Sequence, residues 1–414
     1  MPLCAMRCDA RPFPRMRVCH VISGIDIDNG GPPVALGGLA TAQARIGMQV
    51  SVLSTYRFPE KSFAVAKDWE TQGVQVRLIG PAKEPMSRHP MLTRAAEEMC
   101  DSHDILHIHS MWESIQHHAT RAAYRKGTPY VYRPSGMLDP WNMTKGTLRK
   151  KLYLALRART NLNRAAALHF TSTIERDWVK RLNLTAPSIV EPLGMNFGEY
   201  QTLPPAGSFR GRYPSISDRP VVIFLGRIHR GKGLELLIPA VAQMKERRTM
   251  LMIAGPDGNF RGEADALIAH HGLADRVIFT GLITGPDKVA ALADADLLAL
   301  PSYHENFGLV VVEALAAGTP AVVSDQVGLH PDVSAAGVGG VVPMSIEALA
   351  AELDRWIADE PRRRAAGEKA RVWVRQRYDW DQIATRWLGH YRRIVEGLGA
   401  HQPAGDNPAL ESRR

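Results

Sequence analysis

Cysteine is scarce: the chain has 4 in 414 residues, at positions 4, 8, 19 and 100, and no CxxC pair. That usage speaks against a disulfide frame and a cysteine-built zinc site, and for a reduced cytoplasmic chain. No run of about 18 uncharged apolar residues occurs, so no transmembrane helix is expected. The N-terminus also lacks the apolar stretch of about 7–15 residues that a signal peptide needs. Arg7, Asp9, Arg11 and Arg15 interrupt it, and no hydrophobic run precedes Cys4 to suggest lipidation. Residues 1–15 and 400–414 read as a disordered leader and tail. The rest is ordinary globular composition, 45% hydrophobic and 22% charged, which excludes a collagenous or wholly disordered chain. The length suits two or three domains.

The first half is short of acidic residues. Residues 1–205 hold 26 Lys and Arg against 17 Asp and Glu, whereas residues 206–414 hold 25 of each. Within 121–181 the count is 14 to 3. A patch of this sign fits an anionic partner: phosphates, a membrane surface or nucleic acid.

Two α/β modules are legible. In the first, apolar β-rich runs at Met16–Ser23, Val50–Ser54, Val74–Ile79, Ile105–His109 and Tyr130–Arg133 alternate with helical patterns such as Leu92–Cys100 and Ser114–Lys126. The Pro-, Gly- and Ser-rich stretch 204–218 reads as a linker. The rhythm then restarts with strands at Val221–Leu225, Met250–Ala254, Val277–Thr280, Leu297–Leu300 and Ala321–Ser324, followed by helical stretches. The expected organisation is an N-terminal domain over 16–203, a C-terminal domain over 219–378, and a helix over 379–399 that can cross back to the first domain. Alternation of this kind predicts two doubly wound, mainly parallel sheets, with a cleft between the carboxyl ends of their strands.

The chemistry-bearing residues cluster after strands. Glu305-Asn306-Phe307-Gly308-Leu309 leads into a helix that carries Glu313. Backbone N–H groups at such a helix start suit a phosphate, and Glu313 can accept from a ribose diol. Gly226-Arg227-Ile228-His229-Arg230-Gly231-Lys232-Gly233 places an arginine fork and a lysine on one loop, able to clamp a diphosphate. The order is not that of a Walker A loop. Gly30 and Gly31 follow the first strand and allow close backbone approach to a ligand. Further strand ends carry His107, His109 and Trp112, and then Arg133, Ser135 and Asp139. Each loop alone is also what an ordinary turn or solvated surface would show.

Their order along the chain, GGP, HIHSMW, GRIHRGKG, MIAGPDG, VIFTG, ADADLLALPS and HENFGLVVVEALAAGTP, resembles the retaining glycosyltransferases of the GT-B fold, family 4, over nearly all of residues 16–399. PSGMLDPW followed by a basic helix looks like the bacterial exopolysaccharide and lipopolysaccharide branch. The resemblance implies a hexose transfer from a UDP-, GDP- or ADP-sugar to a glycan or polyprenyl-diphosphate-linked saccharide. It implies roles as well. Arg227 and Lys232 would stabilise the departing diphosphate, while Glu305 contacts donor sugar hydroxyls and Glu313 holds the ribose. Gly226, Asn306, Phe307, Gly308 and Leu309 would line the donor site, and Thr280 and Leu282 the base pocket. Gly30 and Gly31 would close over the diphosphate. On the acceptor side stand Trp112, Arg133 and Ser135, with His109 and Asp139 as candidate catalytic groups. No cofactor or protein-bound metal is implied.

Asp294-Ala295-Asp296 matches the DxD string of metal-dependent transferases, but its place before a buried strand explains it without an ion. Among the histidines, His107 and His109 share a strand face without a completing ligand set. Two rivals remain: a nucleotide-sugar epimerase on the same fold, and a nucleic-acid-binding protein using the interleaved basic and aromatic residues of 121–181. The second leaves the loops of the C-terminal module without a purpose. Thr144–Phe170 reads as one basic amphipathic helix, with Leu148, Leu152, Ala155 and Leu156 on its apolar face, suited to an anionic membrane surface at the inner face of the plasma membrane.

Overall fold

The computed structural model of the chain describes residues 15–26, 31–140, 143 and 147–397. Gly30 and, apart from Arg15, the expected leader and tail lie outside the described residues. The chain forms two parallel sheets. The first contains β1 (Arg17–Ile22), β2 (Gln49–Thr55), β3 (Val74–Ile79), β4 (Ile105–His109), β5 (Tyr130–Arg133), β6 (Ala167–Phe170) and β7 (Ser188–Val190), in the order β3-β2-β1-β4-β5-β6-β7. The second contains β8 (Val221–Leu225), β9 (Met250–Ala254), β10 (Val277–Gly281), β11 (Leu297–Leu300), β12 (Ala321–Ser324) and β13 (Gly339–Val342), in the order β10-β9-β8-β11-β12-β13. The expectation of two doubly wound, Rossmann-like sheets holds.

The central strands explain themselves. VVIFL in β8 and MLMIA in β9 are unbroken apolar runs, and every one of their residues is buried. A strand covered on both faces needs such a run, whereas a half-exposed strand would alternate. The two pair in parallel register, Val221 with Met250 through Leu225 with Ala254. Each sheet reverses its strand order once, between β1 and β4 and between β8 and β11. Ligands of open α/β sheets bind at such reversals, beyond the carboxyl ends of the strands.

By packing, the described residues up to Val131 together with those from Ala384 to Gly397 form one compact unit, and the described residues from Tyr132 to Ile383 form another. In the first unit Val18, Val21, Leu36, Val52 and Ile108 are fully buried. Trp387 and Tyr391 of the helix Trp380–Val395 complete its core. In the second, residues 204–218 are held in place rather than loose. Asp294 accepts from the backbone N–H of Gly207, Phe209 and Arg210 at 2.7, 2.7 and 3.1 Å. Asp296 takes the Arg210 guanidinium at 2.6 Å, Val221 N–H at 2.8 Å and Arg363 at 3.1 Å. The DxD string thus anchors the segment leading into β8.

One expected helix is broken up. Thr144–Phe170 is not a single helix. It runs from Thr147 to Tyr153, passes through a π-helical turn at Leu154–Ala158 and ends at Asn163. Residues Ala167–Phe170 are strand β6 and fully buried. Four residues, ALHF, are too few for periodicity to separate a strand from a continuing helix. The π turn also changes which residues face inward. Leu154, Ala158 and Leu162 are buried, while Leu152 and Leu156 stand 55% and 70% exposed.

Candidate active site

At the β8/β11 reversal three loops lock together. Gly233, at φ +76°, has its Cβ position only 1.9 Å from the Pro301 carbonyl oxygen, so only glycine lets the two loops approach. Tyr303 N–H donates to Gly231 O at 3.1 Å. The loop after β9 joins in, since Gly258 N–H donates to Ile228 O at 2.9 Å. Gly308 caps the helix Leu309–Ala317 in a left-handed conformation, φ +95°. The first N–H groups of a helix have no acceptor within it, so those of Leu309 and Val310 are donors by position.

Charges from separate loops and helices meet here. Lys232 Nζ lies 2.5 Å from Glu305 Oε2, and Lys288 Nζ lies 2.6 Å from Glu313 Oε1. All four side chains are about a quarter exposed or less, so they are open to a ligand yet partly shielded. Arg227 is exposed on the same loop as Lys232. Thr280 and Leu282 sit at the end of edge strand β10, and Leu282 is 68% exposed. Lys288 was not anticipated, because nothing in its surrounding sequence marks it.

The turn after β5 belongs to this unit too. Arg133 and Asp139 are buried, and Ser135 is half-buried. Burial pushes the Arg133 pKa down to about 10, opposed by the charge of Glu175. Glu175 is itself buried, which raises its pKa, while the N–H groups of Thr171 and Gly136 and the Arg133 charge oppose the rise. His304, next to Glu305 in sequence, stacks edge-on against Trp178 at 6.0 Å. Burial lowers its pKa, and the charge of Asp139 partly restores it. His304 and Glu175 escaped the sequence reading. The only signal for Glu175 was Ser172-Thr173-Ile174-Glu175, the spacing of a capping box.

In the first unit, Gly31 begins the helix Gly31–Arg45 after β1, and His109 ends β4, with half-buried Trp112 beyond it. His109 is buried in a hydrogen-bonded chain. With His20 neutral, as burial requires by pushing its pKa down to about 4, the donors order themselves. His109 Nε2–H donates to His20 Nδ1 at 3.0 Å, and His20 Nε2–H to Gln43 Oε1 at 2.7 Å. Gln43 Nε2 donates to the Tyr391 hydroxyl at 3.3 Å, and that hydroxyl is hydrogen-bonded to His107 Nδ1 at 2.6 Å. The three imidazoles offer nitrogens within 4.8 Å of one another. The His107 and His109 rings, however, stack at 4.4 Å and 25°, and near-parallel rings do not converge on an ion with bonds of about 2.0–2.1 Å.

The matches to known families follow the two sheets rather than the two packed units. Residues 30–192 match the family described as glycosyl transferase 4-like domain, and residues 208–373 match glycosyl transferases group 1. An uncharacterized glycosyltransferase of Methanocaldococcus jannaschii is 31% identical over 194 residues, which are 46% of this chain and 50% of that one. The chain thus spans about half the length of that relative. A D-inositol 3-phosphate glycosyltransferase of Kineococcus radiotolerans is 28% identical over 91% of this chain and 93% of its own length. Among solved structures, HepE of Anabaena in complex with UDP is 20% identical and covers 90% of this chain and 99% of its own, with a TM-score of 0.73.

Proposed function

We propose, from the two glycosyltransferase family matches on a GT-B fold, that the chain is a retaining, metal-independent hexosyltransferase that builds a surface polysaccharide. The observation that carries the reading is the Lys232–Glu305 pair beside Gly308 at the β8/β11 reversal. A nucleotide diphosphate sugar laid across this reversal meets Lys232 and Arg227 at its phosphates, with the N–H groups at the start of the helix Leu309–Ala317. Glu305 then faces the sugar hydroxyls and Glu313 the ribose. As the bond from sugar carbon to phosphate oxygen breaks, its electron pair goes to the phosphate, where the two cations stabilise it. The acceptor oxygen forms the new bond, and its proton passes to the departing phosphate oxygen, which has gained that electron pair. Retention rests on the resemblance of these loops to family 4. UDP stands first among the donors because the similar HepE structure holds UDP.

Metal independence is supported by the chemistry of the DxD carboxylates. Asp294 and Asp296 already accept from backbone N–H groups and two guanidinium groups. For the acceptor, the reading is a lipid-linked saccharide at the cytoplasmic face of a membrane. No helix among the described residues is long and apolar enough to cross one. Leu152 and Leu156, both exposed, share a helical stretch with Lys150, Lys151, Arg157 and Arg159. That combination suits the interface of an anionic leaflet. The test is a thermal-shift screen against UDP-, GDP- and ADP-sugars, followed by transfer assays with the donor that binds. Failure of every nucleotide sugar to raise the melting temperature would remove the donor reading.

A further inference from the structure

Glu175 has the sequence position of a helix-capping residue but not its contacts. In a capping box its carboxylate would return to the backbone N–H of Ser172, the residue three positions earlier. Ser172 does its half, with Oγ accepting from Glu175 N–H at 3.1 Å. The Glu175 carboxylate goes elsewhere. It accepts from Thr171 N–H at 2.7 Å, Thr171 Oγ1 at 2.9 Å and Gly136 N–H at 2.7 Å, the last 39 residues away in the turn after β5. It also takes the side-chain amide of Asn306, whose nitrogen faces Oε1 and Oε2 at 3.1 and 3.2 Å. The opposite amide orientation would press oxygen against carboxylate.

Asn306 lies between Glu305 and Gly308, and its neighbourhood is close-packed. The Cβ position of Gly136 is 3.2 Å from Asn306 Cβ, and that of Gly328 is 2.0 Å from the Asn306 carbonyl oxygen. Gly328 N–H donates to Glu305 O at 2.8 Å. One buried carboxylate therefore ties the turn carrying Ser135 and Asp139 to the loop carrying Glu305.

We infer that Glu175 is a positioning residue for the donor: by holding Asn306 and Gly136 on one carboxylate, it sets where the 305–309 loop stands and hence how tightly the nucleotide sugar binds. The link to the donor rests on the function proposed above; the positioning of the loop does not.

The experiment compares wild type, Glu175→Gln, Asn306→Ala and the double variant by hydrogen–deuterium exchange of residues 303–309 and by donor KM, kcat and melting temperature. Loss of one hydrogen bond to a charged group is worth about tenfold. Each single variant should raise exchange in the loop and donor KM about tenfold while kcat at saturating donor stays within about threefold. The double variant should be no worse than the poorer single, because both remove the same contact. Unchanged exchange in Glu175→Gln, or effects that multiply in the double variant, would overturn the inference. Faster exchange with no nucleotide bound by any form, wild type included, would keep the positioning role and discard the donor reading. If Glu175→Gln does not fold, Thr171→Val, which strips one hydroxyl donor from the same carboxylate, takes its place under the same criteria.

Discussion

Replacing His20 with glutamine should flatten the acid side of the stability curve. His20 lies fully buried in the hydrogen-bonded chain of the first unit, and its pKa falls from 6.5 to about 4, chiefly through loss of hydration. Its folded pKa is thus depressed below the unfolded value. Between about pH 6.5 and 4 the unfolded chain holds a proton on His20 that the native state refuses. Unfolding free energy then falls by about 1.4 kcal/mol for each pH unit lost, some 3 kcal/mol across the window. His103 and His304, whose pKa values are also lowered by burial, add to the wild-type slope, so the difference between proteins isolates His20. The variant keeps a donor towards Gln43 but cannot titrate. Urea unfolding followed by circular dichroism at pH 7.5, 6.5, 5.5 and 4.5 gives both slopes. We expect the variant to be less stable at pH 7.5 and to lose about one proton's worth less stability on acidification. Parallel curves for the two proteins would refute the assignment of a neutral, buried His20.

Lys232→Ala should lower turnover on the order of 10²-fold or more, and Glu313→Ala should chiefly raise donor KM; near-normal steady-state kinetics in both would sink the donor site. Asp296→Ala removes an acceptor shared by Arg210, Arg363 and Val221 N–H, so it should cost about 1–3 kcal/mol of stability in a thermal melt. Its activity per folded molecule should persist in chelator, and a divalent requirement in wild type would reinstate the DxD string as a metal site. Binding to vesicles should rise with anionic lipid, fall with salt and drop in Lys150→Glu/Lys151→Glu; co-sedimentation equal on neutral and anionic vesicles would favour a soluble acceptor.

What the chain's own pattern specified is local. Continuous apolar runs such as VVIFL and MLMIA announced strands covered on both faces, and glycines and cations after those runs announced loops that approach an anion. Ser114–Lys126 appeared with the expected bounds because both its periodicity and the following Gly127, at φ +72°, are local signals. Strands β6 (ALHF), β7 (SIV) and β13 (GGVV) were passed over because each lacks the run of apolar β-formers that marked the equally short β11 (LLAL) and β12 (AVVS).

Tertiary structure decided which charges meet. Lys288 and Glu313 lie 25 residues apart, and Gly136, Glu175 and Asn306 span 170 positions of the chain. No periodicity links such residues: Gly136 and Glu175 follow β5 and β6 of the first sheet and Asn306 follows β11 of the second, so only packing at these strand ends brings them together. The same holds for His20, His107 and His109. Alternation put the last two on one face of β4, but only the parallel pairing of β1 with β4, His20 opposite His107, added the third. Each strand's pattern says that a side chain points inward. Which side chain it finds there depends on the neighbouring strand, and that is settled only when the sheet assembles.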